Sequence, residues 1–360
     1  MDLVKTQNDF INSFKAKQKV FDPQQCAWCF HLFDENRDGY LDGKELDNLL
    51  SAVFSDGTES YTVSSDYKAE LLKLLDQDQD DRLSKKDFLE TCFYWLKQIL
   101  QPVSALIVVD VQNDFLDGSL ALRNCPAGQD GLGVIPAINS VLDTVNFDLV
   151  VYTRDWHPSN HISFIDNIDK RKLHSTNKIL CSEAKAMDTV IFEGPPPTVQ
   201  KLWPSHCIQG SWGSELHTEL KNTDGGIIVN KGTHPNVDSY SAFWDNNRQS
   251  QTDLVKILSK HKVTDVYVCG VAYDVCVGFT CLDAVEHGFR TVLIEDACRG
   301  VDLTDIDEMR KNLKTNGAVI SHSCKIKDLV EAHDRPPQLG LQTAKNVALA
   351  RTLVAEGKVT

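Results

Sequence analysis

The chain has 360 residues, 42% of them hydrophobic and 24% charged, with a formal net charge of −14. That length accommodates two or three domains around sizeable cores, and the acidity argues against nucleic acid or an anionic membrane as partner, since either would call for a basic patch. No apolar run reaches the roughly 18 residues of a membrane-spanning helix, the N-terminus has no apolar core of signal-peptide type, and the eleven cysteines follow no regular framework; the expectation is an intracellular protein, cytoplasmic or nuclear, with free thiols.

Residues 1–100 read as a helical unit. Leu46, Leu49, Leu50, Val53 and Phe54 fall on one helical face, as do Phe88, Leu89, Cys92, Phe93, Leu96 and Ile99, and Leu71, Leu72 and Leu75 suggest a helix between them. Cys26 and Cys29 form a CxxC inside the apolar stretch CAWCFHLF, with no second CxxC to complete a zinc site, so packing is the simpler role. This segment holds 12 basic and 19 acidic side chains, which is half of the net charge.

Two acidic loops lie between the helices. DENRDGYLDGKE places Asp34, Asn36 and Asp38 at alternate positions, Gly39 where the chain must turn, the Tyr40 carbonyl next, then Asp42, with Glu45 able to close the site through two oxygens. A hard cation needs six or seven oxygens, and this spacing supplies them. In DQDQDDRLSKKD the corresponding residues are Asp76, Asp78, Asp80, the Arg82 carbonyl and Asp87, but Asp81 replaces the glycine and Asp87 is one methylene shorter than glutamate. This second loop is expected to hold a cation less well. Both loops carry a central leucine, Leu41 and Leu83. The unit resembles a paired EF-hand, which implies Ca2+ binding and leaves a protein partner open.

Pro102 ends the helical half. Thereafter 105–110, 149–155, 227–232, 265–271, 291–296 and 318–323 are short, apolar and β-branched, with helix-like segments between most of them. Strands alternating with helices predict an α/β fold with a doubly wound, mostly parallel sheet. The predicted organisation is an all-α unit at 1–100, an α/β domain at 104–335 and a weakly patterned tail at 336–360, for which packing and a free end are both open.

In open α/β sheets, chemistry gathers at the carboxyl ends of strands. Reading those ends yields Asp110, then Asp155 and His157, then Lys231, then Cys276 at an expected helix start. An ammonium and a helix N-terminus favour a thiolate, and a carboxylate can take its proton and later deliver it to a leaving amine. Each residue alone is ordinary. Together, the segments VVDVQNDF, DWHPSNH, WPSHC, NKG with YSAF, and GVAYDVCV, in that order, resemble the isochorismatase-like cysteine hydrolases, and among them the nicotinamidases, over roughly 104–325.

That resemblance implies Cys276 as nucleophile with Asp110 and Lys231 beside it, and an oxyanion hole from the backbone N–H groups of Ala272 and Cys276 next to a cis Val271–Ala272 peptide. It implies a zinc or similar transition-metal ion on Asp155, His157 and His206, with His161 open as a fourth ligand or a neighbouring histidine, and Phe115 and Trp203 as aromatic walls. His217 and His234 are read as structural or exposed. The implied reaction is hydrolysis of nicotinamide to nicotinate and ammonia in NAD salvage, with calcium modulation open. The alternatives are another small-amide hydrolase of the same superfamily, or a calcium-sensing interaction protein with an inactive hydrolase half.

Overall fold

In the computed structural model, which describes residues 3–194 and 196–356, the N-terminal apolar faces close into one helical core. Helix α1 spans Leu3–Asn12 and α2 Pro23–Phe33. Asp22 caps α2 by accepting a hydrogen bond from the Gln25 amide, and Pro23 fills the first helical position, where no N–H is needed. Helix α3 is Gly43–Val53, and α4 is Ser65–Leu75, capped by Ser64. Helix α5, Lys85–Asp87, runs through a π turn at Phe88–Cys92 into α6, Phe93–Leu100. Strands β1 (Tyr40–Leu41) and β2 (Leu83–Ser84) pair antiparallel, with Leu41 opposite Leu83. Cys26 and Cys29 are buried in this core, and burial pushes the Cys26 thiol up to about 12, so it packs as an apolar group.

The second half is built on β3 (Ser104–Val109), β4 (Leu149–Asp155), a hairpin of β5 (Thr189–Phe192) and β6 (Thr198–Lys201), then β7 (Ile227–Lys231), β8 (Asp265–Val271), β9 (Arg290–Arg299) and β10 (Val319–Ser321). Between them run α7 (Asn113–Leu116), α8 (Ile135–Thr144), α9 (Leu254–Lys260), α10 (Gly278–Glu286), α11 (Leu303–Thr315) and α12 (Ile326–Val330). Among the described residues, six strands form one sheet in the order β10–β9–β8–β3–β4–β7, and every adjacent pair is parallel. Every residue of β3 and β8 is buried. Such uniform burial follows when both faces of a parallel sheet are covered, and it explains why these strands read as apolar runs rather than alternating ones.

Strand order reverses at β3. The chain steps from β3 to β4 and β7 on one side, then returns to place β8 on the other. Loops leaving β3 and β8 diverge there and open a crevice at the strands' carboxyl ends. The β5–β6 hairpin was not anticipated. Its two four-residue strands are too short for alternation to stand out, and they bury Val190 and Phe192 in a small satellite core with Ile162, Ile168 and Leu202.

The C-terminal tail is helix α13, Pro337–Ala355, and residues 357–360 of the expected tail lie outside the described residues. The helix returns to the N-terminal core, where Ala344 and Val347 are buried. The Trp95 indole N–H donates to the Gly340 carbonyl (2.9 Å), and the Tyr67 hydroxyl donates to the Pro337 carbonyl (2.7 Å). Any side chain at Gly340 would meet the Phe54 ring 2.4 Å away, so the close helix approach requires glycine there. Just before α13, the buried Arg335 guanidinium donates to the carbonyls of Ala52, Val53 and Ala332, thereby capping the end of α3. Arg335→Ala leaves these carbonyls buried and unpaired. The expected loss is about 3 kcal/mol of unfolding free energy, read from the shift in urea midpoint at unchanged slope.

Candidate active site

Four strand ends meet in the crevice. Asp110 follows β3, Asp155 ends β4, Lys231 ends β7, and Cys276 lies in a π turn, Tyr273–Val277, between β8 and α10. The Val271–Ala272 peptide is cis, as the sequence motif implied. Lys231 is 1% exposed, and its ammonium meets four groups. Nζ lies 2.5 Å from Asp155 Oδ1, 3.0 Å from the Ser239 carbonyl, 3.3 Å from Cys276 Sγ and 2.9 Å from Asp110 Oδ2.

An ammonium has only three hydrogens. Four acceptors share them, and Asp110 Oδ2 is held in an ion pair with the ammonium. The other Asp110 oxygen accepts from the Thr153 hydroxyl at 2.6 Å. The buried Asp110 Oδ2 thus sits in a compact group with Cys276, Asp155 and Lys231. That oxygen can accept the thiol proton.

Burial alone would lower the pKa of Lys231, but Asp110, Asp155 and Cys276 outweigh it and hold the ammonium well above its ordinary range. Burial also works against charge on Asp155, yet Lys231 and then His157 keep that carboxylate well below its ordinary range. For Asp110 burial wins: its pKa is raised, with Lys231 opposing. Burial raises the Cys276 thiol as well, and Lys231 pulls the other way. The resting group is thus a protonated thiol, a fixed cation and a carboxylate whose proton affinity has been lifted toward that of the thiol.

Asp155 links this group to a second one. Its Oδ2 lies 3.5 Å from His157 Nε2 and 3.7 Å from His206 Nε2. His157 Nδ1 bonds the Gly232 carbonyl and His206 Nδ1 bonds the Pro204 carbonyl, both at 2.8 Å. A carbonyl only accepts, so each Nδ1 donates and each Nε2 is turned toward Asp155. Two imidazole nitrogens and a carboxylate oxygen converging in this way suit a divalent transition metal. His161 is not one of the converging three. Its ring stacks on His157 with centroids 4.0 Å apart, its Nδ1 lies 2.7 Å from the Ser163 hydroxyl, and burial drops it to about 3, which keeps it neutral.

A cavity of about 420 Å3, counted to its mouth, opens onto both groups. Phe115 and Trp203 line it, together with Ala272 and Cys276, and the Phe115 ring sits 5.3 Å from that of His206. Sequence reasoning missed Leu120, Tyr240 and Val301 in the same wall. Tyr240 stood inside the quoted YSAF motif and could have been named; Leu120 and Val301 carry no signal beyond being apolar.

The acidic loops differ in the way their sequences suggest. In the first, Asp34, Asp38 and Glu45 converge, and one oxygen each of Asp34 and Glu45 is buried without a hydrogen-bond donor. Such oxygens want a cation. In the second, Asp76, Asp78 and Asp80 converge, but Asp87 is committed to Ser84 and the Gln77 amide. Arg82 lies across the loop, 3.2 Å from Asp80 and stacked 3.8 Å over the Tyr40 ring of the first loop. Asp81 adopts φ +65° where glycine is usual, a turn that aspartate tolerates.

Comparison with known proteins agrees with this geometry. Residues 104–323 match the isochorismatase domain model, and residues 23–92 match an EF-hand domain pair. The chain belongs to the isochorismatase family. The nicotinamidase of Acinetobacter baylyi is 42% identical over 201 residues, which is 55% of this chain and 82% of that protein. That of Saccharomyces cerevisiae is 35% identical over 221 residues, 59% of this chain and 97% of its own length. Among solved structures, a nicotinamidase of Acinetobacter baumanii superposes with a TM-score of 0.53 at 38% identity, covering 62% of this chain and 98% of its own. The yeast nicotinamidase bound to the inhibitor nicotinaldehyde superposes with a TM-score of 0.50 at 30% identity, covering 61% and 99%. In this family member the acidic loops lie outside the shared domain and can be altered separately. Glu45→Gln is expected to weaken the tighter Ca2+ event about tenfold in calorimetric titration, and Arg82→Gln to strengthen the weaker one by freeing Asp80.

Proposed function

We propose that the protein hydrolyses nicotinamide to nicotinate and ammonia through a thioester on Cys276. The observation that carries this reading is the arrangement at Asp155: one carboxylate binds the catalytic ammonium through Oδ1 and faces two imidazole Nε2 atoms through Oδ2. A thiol hydrolase needs no metal to make its nucleophile. A donor triad beside the thiol therefore argues for a substrate that itself carries a metal-binding atom, and a pyridine ring nitrogen is one. Asp155, His157 and His206 would hold a divalent ion such as zinc, which supplies a Lewis-acidic coordination position when bound.

The chain's own residues perform the remaining steps. Phe115 and Trp203 flank a flat ring. The Cys276 thiol gives its proton to Asp110 Oδ2 as sulfur attacks the carboxamide carbon. Lys231 stays protonated throughout, so its charge favours the thiolate and the developing oxyanion. The backbone N–H groups of Ala272 and Cys276 are assigned to that oxyanion. Asp110 returns the proton to nitrogen, the C–N bond breaks, and ammonia leaves a thioester. Water, deprotonated by Asp110, then cleaves the thioester to nicotinate and the free thiol.

We also infer that calcium modulates this activity. Glu45 lies in the first turn of α3, and the far end of α3 is held by Arg335 at the entry to α13. Asn346 of α13 donates to the Gly288 carbonyl, just beyond the end of α10, the helix that begins beside Cys276. Packed elements thus run from the first acidic loop to the nucleophile. The test is ammonia release from nicotinamide with Ca2+ or a calcium-selective chelator. Cys276→Ala is expected to lower turnover by at least about 10³-fold, and Asn346→Ala to leave turnover in place while abolishing its calcium dependence. Absence of ammonia release from the zinc-loaded, folded protein, with release from another amide, would overturn the substrate.

A further inference from the structure

The turn after Asp110 carries three polar side chains, Gln112, Asn113 and Asp114, that the proposed chemistry does not use. Gln112 is fully buried, and Asn113 is nearly so. The Gln112 amide brackets the backbone of Asp155: Nε2 donates to the Asp155 carbonyl and Oε1 accepts from the Asp155 N–H, both at 2.8 Å. The same Nε2 donates to the Ser214 carbonyl at 2.9 Å. Asn113 Nδ2 donates to the Trp212 carbonyl at 2.8 Å. Asp114 Oδ2 accepts from the Cys207 N–H at 2.7 Å, and Cys207, directly after His206, holds a left-handed φ of +46°.

One turn therefore grips both sources of the donor triad. Gln112 fixes the end of β4, which carries Asp155. Asp114 fixes the peptide that follows His206. The seat for Asp114 is made by two glycines: a Cβ on Gly213 or Gly118 would fall 1.9 or 2.2 Å from its carboxylate. Among the described residues no ionised partner explains a carboxylate in that seat, and its Oδ1 accepts from the Ser119 amide. An anionic acceptor holds an N–H more strongly than a neutral one, which suits a peptide that must keep a left-handed conformation in a non-glycine residue.

We propose that Gln112 and Asp114 are positioning residues that pre-set the geometry, and so the affinity, of the Asp155–His157–His206 metal centre. The inference rests on the reading that this triad binds a metal. Neither side chain touches the metal or the substrate; each acts through the backbone of a ligand residue or of its neighbour.

The test uses the full-length protein with Ca2+ saturating the acidic loops. Zinc affinity is measured by competition with a chromophoric chelator, and coordination by the visible absorption of the Co2+-loaded protein. The variants are Asp114→Asn and Gln112→Glu, both close to isosteric, with His206→Ala as a ligand control. Gln112→Glu keeps the acceptor but loses the donor to Asp155 and Ser214. Loss of such outer contacts typically weakens metal binding about 10–100-fold. That loss is expected in both variants, with an altered Co2+ spectrum, and in Asp114→Asn at a metal-free melting temperature near that of the parent. Parental zinc affinity in both, while His206→Ala binds poorly, would overturn the positioning role alone. Parental affinity in His206→Ala would instead overturn the metal-centre reading beneath it. Should Asp114→Asn fail to fold, Gln112→Glu decides the question by the same measurements.

Discussion

A single buried ammonium organises the crevice. Lys231 carries its charge at 1% exposure, and an isolated ion in that position would cost several kcal/mol. The fold meets the cost with two carboxylates from neighbouring strand ends, Asp110 and Asp155, and with the Ser239 carbonyl. One positive and two negative groups leave the cluster with one net negative charge. That surplus carries the reading of the site. Asp155, held ionised, faces the imidazoles and invites a metal. Asp110, with its proton affinity raised, faces the thiol and invites its proton. The two carboxylates sit on one lysine yet are driven toward opposite roles by what else they touch.

The same requirement explains why these side chains arise where they do. A parallel sheet buried on both faces cannot tolerate charge in its middle, and beyond their first residues, Ser104 and Asp265, β3 and β8 carry no charged side chain. Charge is tolerated where strands end and loops diverge, which at β3 is also where strand order reverses. Asp110 even adopts a left-handed φ of +50° as the chain turns out of β3, a conformation supported by the Thr153 hydroxyl at its amide and its carboxylate. The turn that begins there continues through Gln112 and Asp114, so the carboxylate proposed to handle the proton and the side chains proposed to position the metal donors lie within five consecutive residues.

Legibility from sequence tracked how local each feature is. The strands of the sheet were readable because burial on both faces makes them continuous apolar runs. The acidic loops were readable because their donors lie within twelve residues, and the weaker closure of the second was visible in Asp81 and Asp87. Asp110, Asp155, Lys231 and Cys276 were found at strand ends, but the ordering of their roles depends on distances that no spacing encodes. The sharing of the Lys231 ammonium among four acceptors is of that kind. The β5–β6 hairpin escaped because four-residue strands carry almost no periodic signal. The gripping role of Gln112 was hidden for a different reason: its partners are backbone groups 43 and 102 residues away, and backbone partners leave no side-chain trace in a sequence.

The tail shows how a division at Pro102 into a helical half and a sheet half understates the packing. Helix α13 is reached only after the whole α/β domain, yet it lies in the helical core, with Gly340 against Phe54 and Trp95 bonded to its backbone. An EF-hand pair that responds to calcium by reorienting its helices needs an apolar surface to expose or a helix to hold. Here a helix of the same chain is already seated between α4, α6 and the hydrolase domain. Any motion of α3 or α6 must therefore either carry α13 with it, and so pull on Asn346 and the end of α10, or work against the Arg335 cap and the Trp95 and Tyr67 hydrogen bonds. The first course transmits the calcium state to the nucleophile helix; the second makes the paired loops a brace. The first course is favoured, because breaking the Arg335 cap and the Trp95 and Tyr67 hydrogen bonds would leave buried polar groups unpaired.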